Sequence, residues 1–290
     1  MLPVLLDLKF IKIYTFGVFL LLSFFWGSFM LWKNIRLTSF KEDDIFDSLL
    51  ISLFGALFFG RLVYVILHFK DFGFDLLKFL LINGYPGISI YGVLFGGFLT
   101  FYLISVIKKI GFTNIIDYAI SPIFIALGFG KLGAFFSGVE IGEKTKFVVS
   151  IKYTGFDGFR HLTPLYESLL YFLAAFIAYK ILFEIRKDRF KHGFSFIFFF
   201  WYFGLVNFLF DKIKVDKLYF FGYRFNSTVS LAILLTSSLY FLYYFKDLLL
   251  DKLSVCFRFI RTYGQKTYQR IYNRAKKKLG RRKEKNTPAN

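Results

Sequence analysis

This chain of 290 residues contains one cysteine, few acidic residues and no internal repeat. The one cysteine, Cys256, excludes a framework of disulfides within the chain. Its basic surroundings leave S-palmitoylation as an alternative to the ordinary role of a small apolar residue. The absence of a repeat and of a series of acids in the apolar segments argues against a transporter or channel. No small-residue cleavage site follows the first apolar segment, so we expect no removable signal peptide.

Apolar residues are abundant: 56% of the chain is hydrophobic, 23% is aromatic, and 45 residues are Phe. They form runs of about 20 residues with almost no charge, which is the length that crosses a hydrocarbon core of about 30 Å. The sequence therefore predicts an all-α, polytopic membrane protein with seven transmembrane helices. The predicted spans are 14–32, 45–67, 88–107, 115–137, 165–183, 193–210 and 228–245.

The connection between the second and third spans has two unusual features. Residues 72–82 are amphipathic and too short to cross, so we expect them to lie in the membrane interface. Gly84, Pro86 and Gly87 precede the third span and leave room for an irregular or re-entrant start, which is allowed only where protein or a cavity covers the backbone.

The basic residues are concentrated after the last span. Residues 252–290 contain 13 Lys and Arg and one acid, Glu284. Membrane adjacency explains such a tail through anionic lipids, and no nucleic-acid-binding fold accompanies its tyrosines, so we favour lipid over nucleic acid. The other connectors carry nine basic residues on the tail's side and twelve on the opposite side, so the tail decides the orientation. We predict a transmembrane domain at 1–250 with its N-terminus outside and a cytoplasmic tail at 251–290.

Ionisable residues inside spans are costly and are therefore functional candidates. Arg61 lies in the middle of the second span and needs a carboxylate, backbone carbonyls or a phosphate as partner. The alternatives are a structural pair with Asp47 or Asp211, or a position lining a lipid-headgroup cavity. Lys131 lies among glycines near the end of the fourth span, and Glu140 follows it. Those glycines suit either helix packing or an anionic pocket.

A second group of candidates surrounds the fifth and sixth spans. Arg160 and His161 precede the fifth span, where Thr163 and Pro164 resemble an N-cap followed by Pro at the first helical position. Glu167 is then expected in the first turn, where the helix dipole favours an acid. In the sixth span, Asn207 and Asp211 are four residues apart on one helical face.

Five segments, in this order, resemble the prolipoprotein diacylglyceryl transferase family over most of the chain to about residue 245. They are IYTFG at 13–17, DIFD at 44–47 with GRLVYV at 60–65, GISIYG at 87–92 with Gly96, GKLGAFFSGVEIG at 130–142, and HLTPLYE at 161–167.

The resemblance implies an enzyme of the bacterial cytoplasmic membrane that moves a diacylglyceryl group from phosphatidylglycerol to the lipobox cysteine of a preprolipoprotein. It implies catalytic roles for Tyr91, His161 and Glu140. It implies substrate-binding roles for Lys131, Arg61, Tyr14, Asn207, Arg160 and Glu167. We expect neither a metal nor a cofactor. The expected partners are phosphatidylglycerol, the lipobox peptide, and anionic lipids at the tail.

The chain departs from the family pattern at four positions. Lys131 replaces an Arg and loses the planar fork, Tyr91 replaces a His, and Asn207 replaces a second Arg, while Asp211 replaces a Glu. Arg160, Lys212 or Lys214 are candidates to supply the missing charge. The alternative hypothesis is a catalytically impaired homologue that binds lipid or preprotein without turnover.

Overall fold

A computed structural model describes residues 2–8, 11–81, 84–153, 155–215, 217–220, 222–246 and 250. The chain divides into two compact units, Met1–Ser237 and Ser238–Asn290. The expected basic tail at 251–290 and Cys256 lie outside the described residues, so they stay predictions, as does the domain boundary after residue 250.

The described residues form nine helices and three short antiparallel hairpins. The helices are α1 Thr15–Ile35, α2 Glu42–Leu67, α3 Phe69–Phe72, α4 Leu76–Leu80, α5 Ile90–Ile107, α6 Phe112–Ser137, α7 Thr163–Arg186, α8 Phe194–Asp211 and α9 Phe225–Tyr244. The hairpins are β1 Val4–Leu8 with β2 Ile11–Tyr14, β3 Ser150–Lys152 with β4 Phe159–His161, and β5 Tyr219–Phe220 with β6 Tyr223–Arg224.

All helices except α3 and α4 are long and apolar enough to cross a membrane. They coincide with the seven predicted spans, so the prediction of an all-α, multi-pass membrane protein is confirmed. The predicted boundaries differ by up to three residues, because polar residues such as Glu42 extend a helix beyond its apolar stretch.

The predicted interfacial segment, residues 72–82, contains the last residue of α3 and the whole of α4. The Asp75 side chain accepts hydrogen bonds from the backbone N–H groups of Leu77 and Lys78, at 2.9 and 3.3 Å, and so begins α4. Phe74 is 98% exposed, and Leu76 and Leu77 are also exposed. Exposed apolar residues on segments too short to cross suit the membrane interface, which stays a prediction for this segment.

Glycines bring the long helices into close contact. A Cβ at Gly96 would overlap Phe59 and the Gly55 carbonyl, so α2 and α5 pack with their backbones close together. Near Lys131, a Cβ at Gly133 would overlap Phe19 of α1, and one at Gly128 would overlap Phe172 of α7. These two glycines therefore serve helix packing, which was one of the two readings that the sequence left open.

Candidate active site

Four charged side chains meet at one end of the helices. Lys131 Nζ lies 2.6 Å from Glu140 Oε1 and 2.7 Å from Glu167 Oε2. Lys214 Nζ lies 2.6 Å from Glu167 Oε1 and 3.3 Å from Glu140 Oε2. Each lysine thus contacts both carboxylates, and each carboxylate contacts both lysines. We call these four residues the charge cluster.

The charge cluster is largely shielded from solvent and has no net charge. Glu167 is fully buried, and both lysine side chains are less than one-fifth exposed, whereas the Glu140 side chain is 32% exposed. Such ions stay charged in a low-dielectric site only because each one has close partners of opposite sign. Burial acts to raise the pKa of the Glu140 carboxyl, but the charges of Lys131 and Lys214 outweigh burial and lower that pKa to about 2.

Two backbone features bring the loop residues of the charge cluster to the helices. Gly138 ends α6 in the left-handed conformation (φ 75°), and the chain turns there so that Glu140 comes back to Lys131. Beyond α8, the N–H of Val215 donates to the Ile141 carbonyl at 3.0 Å. Gly142 also pairs with Lys214 in an antiparallel bridge. This backbone pairing holds Lys214 beside Glu140.

A polar pair lies next to the charge cluster on α7 and α8. Asn207 Nδ2 donates to the Tyr171 hydroxyl at 3.0 Å and to the Phe203 carbonyl at 2.9 Å. Tyr171 lies one helical turn after Glu167, so the two side chains share a face of α7. Asn207 therefore bonds to a tyrosine on the Glu167 face of α7 and does not supply a cation.

Tyr91 forms a second polar position at the same end, where α5 begins. Its hydroxyl lies 2.9 Å from Ser230 Oγ and donates to the Asn226 carbonyl at 3.2 Å. Asp211, Lys131 and Glu167 are all within electrostatic range of this hydroxyl. Asp211 is only 3% exposed, and its Oδ2 has no hydrogen-bond partner among the described residues.

Arg61 does not have the carboxylate partner that was one prediction. Its guanidinium donates to three backbone carbonyls, those of Phe79 at 3.0 Å, Lys78 at 2.7 Å and Gly87 at 2.8 Å. The residue is only 2% exposed; the Lys78 and Phe79 carbonyls belong to α4, and the Gly87 carbonyl belongs to the irregular chain before α5. A pair with Asp47 or Asp211 is therefore wrong, because backbone oxygens use the planar fork of donors. Arg61 fixes the start of α5, on which Tyr91 lies.

The residues around β4 are close to the charge cluster in sequence but have other contacts. Arg160 Nη1 donates to the Gly142 carbonyl at 3.2 Å, and its guanidinium lies over the Phe156 ring. The His161 ring faces Tyr166 and Phe147, and its Nδ1 is buried without a partner in the described part of the chain. Neither residue takes part in the ion pairs of the charge cluster.

The remaining predicted positions differ in detail. Tyr14 precedes α1 and is exposed. The prediction that Thr163 caps α7 is wrong, because the helix already includes Thr163 and its buried Oγ1 makes no capping bond. Glu167 is consequently beyond the first turn, and its ion pairs with the two lysines take the place of the expected dipole interaction.

Sequence reasoning treated Lys214 only as one of three possible replacement charges, and it missed Tyr171 and Ser230. The other two candidates lie elsewhere: Lys212 packs over the Phe208 ring, and Arg160 bonds to Gly142. A usable signal for Tyr171 was its spacing of four residues from Glu167. Ser230 had no signal, because a serine in an apolar helix usually bonds to its own backbone.

Comparisons with known proteins agree with this arrangement. The model of the prolipoprotein diacylglyceryl transferase family matches residues 3–243. A Clostridium tetani protein is 30% identical over 179 residues, covering 60% of this chain and 71% of its own. A Finegoldia magna protein is 27% identical over 240 residues, covering 82% and 94%. A Streptococcus pneumoniae protein is 29% identical over 202 residues, covering 66% and 74%. All three are named phosphatidylglycerol–prolipoprotein diacylglyceryl transferase, and by the family match this chain belongs to the prolipoprotein diacylglyceryl transferase family.

Proposed function

We propose that this protein transfers the diacylglyceryl group of phosphatidylglycerol to the lipobox cysteine of preprolipoproteins, in the cytoplasmic membrane of a bacterium. The transfer is the first step of lipoprotein maturation. The observation that carries the proposal beyond family membership is the charge cluster, which places two lysines side by side in a shielded site at the end of the helices.

The reaction needs those cations. The thiol loses its proton, the sulfur forms a bond to a glyceryl carbon, and the bond from that carbon to a phosphate oxygen breaks. Glycerol phosphate leaves with the additional negative charge. Cations fixed in a shielded site stabilise that charge more strongly than water does. Lys131 and Lys214 are the pair that can flank one phosphate, because both contact the same carboxylates.

Phosphate binding must displace a carboxylate from the charge cluster, since the lysines are already neutralised. Glu140 is the one to move, because it is the more exposed carboxylate and lies on a loop beyond the hinge at Gly138. Once Glu140 is separated from the lysines, their positive charges no longer lower the pKa of its carboxyl group. The Glu140 carboxylate is then a better proton acceptor. Among Tyr91, His161 and Glu140, we therefore assign the thiol proton to Glu140 and an orienting role to Tyr91.

The impaired homologue is the competing function. It rests on the replacements at Lys131, Tyr91 and Asn207. The position of Lys214 weighs against it, because this lysine gives the site a second cation that Asn207 does not provide.

Transfer is measured with the purified full chain, phosphatidylglycerol and a lipobox peptide, and a peptide with serine in place of the cysteine is the control. The range from about pH 6 to about pH 9 brackets the ordinary thiol pKa of about 8.5. We expect a diacylglyceryl thioether on the cysteine peptide alone. If no thioether forms at any pH in this range, the transferase proposal is refuted and the impaired homologue is the function that remains.

The proposal includes the orientation, with the charge cluster at the outer face and the basic tail against anionic lipid in the cytoplasm. Cys256 offers a direct test as the one thiol of the chain. A membrane-impermeant maleimide should label it only after spheroplasts are made permeable. Labelling of Cys256 in intact spheroplasts would show that the orientation is the opposite one.

A further inference from the structure

Three consecutive apolar residues project from the connector between α6 and α7, at the membrane end that carries the charge cluster. They are Phe147, Val148 and Val149, which precede β3, and all three are exposed. Val148 is the most exposed of them, at 95%. We call these three residues the apolar tip. Contiguous exposed apolar residues mark a contact with a membrane or with another protein.

The apolar tip is fixed beside the first turn of α7. The Tyr166 hydroxyl donates to the Val149 carbonyl at 2.5 Å. The centroid of the His161 ring lies 6.2 Å from that of Phe147 and 6.5 Å from that of Tyr166. The position of Tyr166 on its helix therefore determines which side of the molecule the apolar tip occupies.

Tyr166 lies on the lipid-facing side of α7. Leu169, Leu173 and Phe176 follow it by three, seven and ten residues, so the four side chains share one helical face. Each of these three apolar side chains is at least half exposed on a helix that is long and apolar enough to span a membrane. This face of α7 is therefore in contact with hydrocarbon, and the apolar tip continues it beyond the start of the helix.

The depth of Tyr166 corresponds to the membrane surface. The 24 residues of α7 measure about 36 Å at ~1.5 Å per residue, so the helix extends about 3 Å beyond each side of a hydrocarbon core of ~30 Å. Tyr166 is the fourth residue of α7, about 5 Å from its start. It thus lies near the boundary between hydrocarbon and headgroups, where tyrosines are enriched. The apolar tip is at the same level.

Lysines flank the apolar tip on both sides along the chain. Lys144, Lys146 and Lys152 are exposed, and none of them has an ion pair in the part of the chain that the structure describes. Asp157 is the one acid from residue 144 to residue 160. Exposed apolar residues beside unpaired cations are complementary to an interface with negatively charged lipid headgroups.

Backbone pairing forms a fixed base for the apolar tip. The Thr145 N–H donates to the Phe159 carbonyl at 2.9 Å, and β3 pairs with β4. On the other side, the Glu143 N–H donates to the Ile213 carbonyl at 2.8 Å. Because the base is already paired, little conformational entropy remains to be lost when the apolar tip makes a contact.

We propose that the apolar tip docks in the interface of the leaflet around this end of the molecule, with the three flanking lysines among the phosphates of anionic lipids. The inference goes beyond the proposed function, because it concerns the lipid surface beside the protein. A peptide partner is less suitable. A side chain that is 95% exposed lies in no groove, and the Val149 carbonyl, which an added strand would need, already accepts from Tyr166.

A fluorophore on the apolar tip tests the proposal. Val148→Cys in a Cys256→Ser background of the full chain carries a nitrobenzoxadiazole label, and the protein is placed in nanodiscs of phosphatidylcholine with or without phosphatidylserine. A lipid with a spin label near its headgroup quenches the docked fluorophore, and the two lifetimes give the ratio of docked to undocked protein. We expect a higher ratio in the nanodiscs that contain phosphatidylserine.

Charge variants separate lipid recognition from simple proximity. Lys146→Gln/Lys152→Gln should lower the ratio in the anionic nanodiscs about 30-fold, which is about fivefold for each basic residue near the surface. The matched control is Lys33→Gln/Lys41→Gln, which makes the same change in charge at exposed positions where α1 ends and α2 begins, at the opposite membrane end. The control should leave the ratio unchanged.

Each contrary result has a definite meaning. A fluorophore that stays unquenched in both kinds of nanodisc overturns the docking. Equal ratios with and without phosphatidylserine, or an unchanged ratio in Lys146→Gln/Lys152→Gln, overturn the recognition of anionic lipid. Protection of the fluorophore only when a lipobox peptide is added would assign the apolar tip to a peptide instead. The label reports position and not turnover, so failure of the docking leaves the proposed transfer untouched, and failure of the transfer leaves the docking untouched.

Discussion

Replacing Lys214 with methionine removes the cation that contacts Glu167 at 2.6 Å and Glu140 at 3.3 Å. Glu167 is fully buried, so the loss leaves a buried carboxylate with only Lys131 beside it. Removing one partner of a buried pair typically costs about 3–5 kcal/mol. We expect about 3 kcal/mol here, because Lys131 remains.

The double variant Lys214→Met/Glu167→Gln separates stability from catalysis. Removing both charges together relieves the uncompensated carboxylate, so we expect the double variant to cost about 1 kcal/mol, which is about 2 kcal/mol less than Lys214→Met alone. Transfer must not recover, because the phosphate still lacks its second cation. Loss of one fixed electrostatic contact of this kind lowers kcat about 10²–10³-fold.

The assay combines thermal denaturation of the purified protein in detergent with the rate of thioether formation at saturating phosphatidylglycerol. Lys214→Arg is the matched control, since it keeps the charge and should retain most of the stability. A double variant with both stability and rate restored would show that Lys214 only neutralises Glu167. A stable Lys214→Met variant with a normal rate would refute the role of the charge cluster altogether.

Three further predictions concern other contacts. Arg61→Lys loses the planar fork that bonds to three carbonyls, so we expect it to lower the free energy of unfolding by about 2–3 kcal/mol. The control Arg36→Lys, at an exposed position, should change it by no more than about 0.5 kcal/mol. Equal melting temperatures for the two variants would contradict this prediction. The folded-state pKa of Glu140 lies below its ordinary value of 4.5, so its contribution to stability is present above about pH 4.5 and is lost as the pH falls towards 2. Glu140→Gln should accordingly flatten the acid side of a stability–pH curve, and an unchanged slope would contradict the lowered pKa. Gly96→Ala should force α2 and α5 apart and lower the free energy of unfolding by about 1–3 kcal/mol. The control is Gly17→Ala, whose Cβ would meet nothing within 4 Å, and it should leave stability unchanged or raise it slightly. A Gly96→Ala variant as stable as the native protein would refute the close packing.

The positions of the spans could be predicted because each one depends on a run of neighbouring residues. The apolar run around Gly96 is long enough to cross the membrane wherever its neighbours lie, and α5 follows it closely. Helix beginnings were predicted less well. Thr163 and Pro164 resembled a cap and a first turn, but a cap depends on one hydrogen bond that the tertiary packing around a buried Thr163 does not provide.

The site was predictable in its residue types but only partly in its contacts. Lys131 and Glu140 were singled out by the cost of charges in apolar surroundings, and they do meet. Arg61 met the same criterion, yet it bonds to backbone carbonyls of α4 and of the chain before α5. Burial requires that such a group has a partner but does not specify which one.

The amino-acid sequence by itself determined the membrane embedding, the number of spans and the family, because hydrophobicity and motifs are properties of short stretches of chain. Only the tertiary structure decided which charges meet. Lys214 comes from a connector far along the chain, and it reaches Glu167 because backbone pairing near Ile141 holds it there. Coulomb energy falls with distance, and distances between remote segments are set by packing.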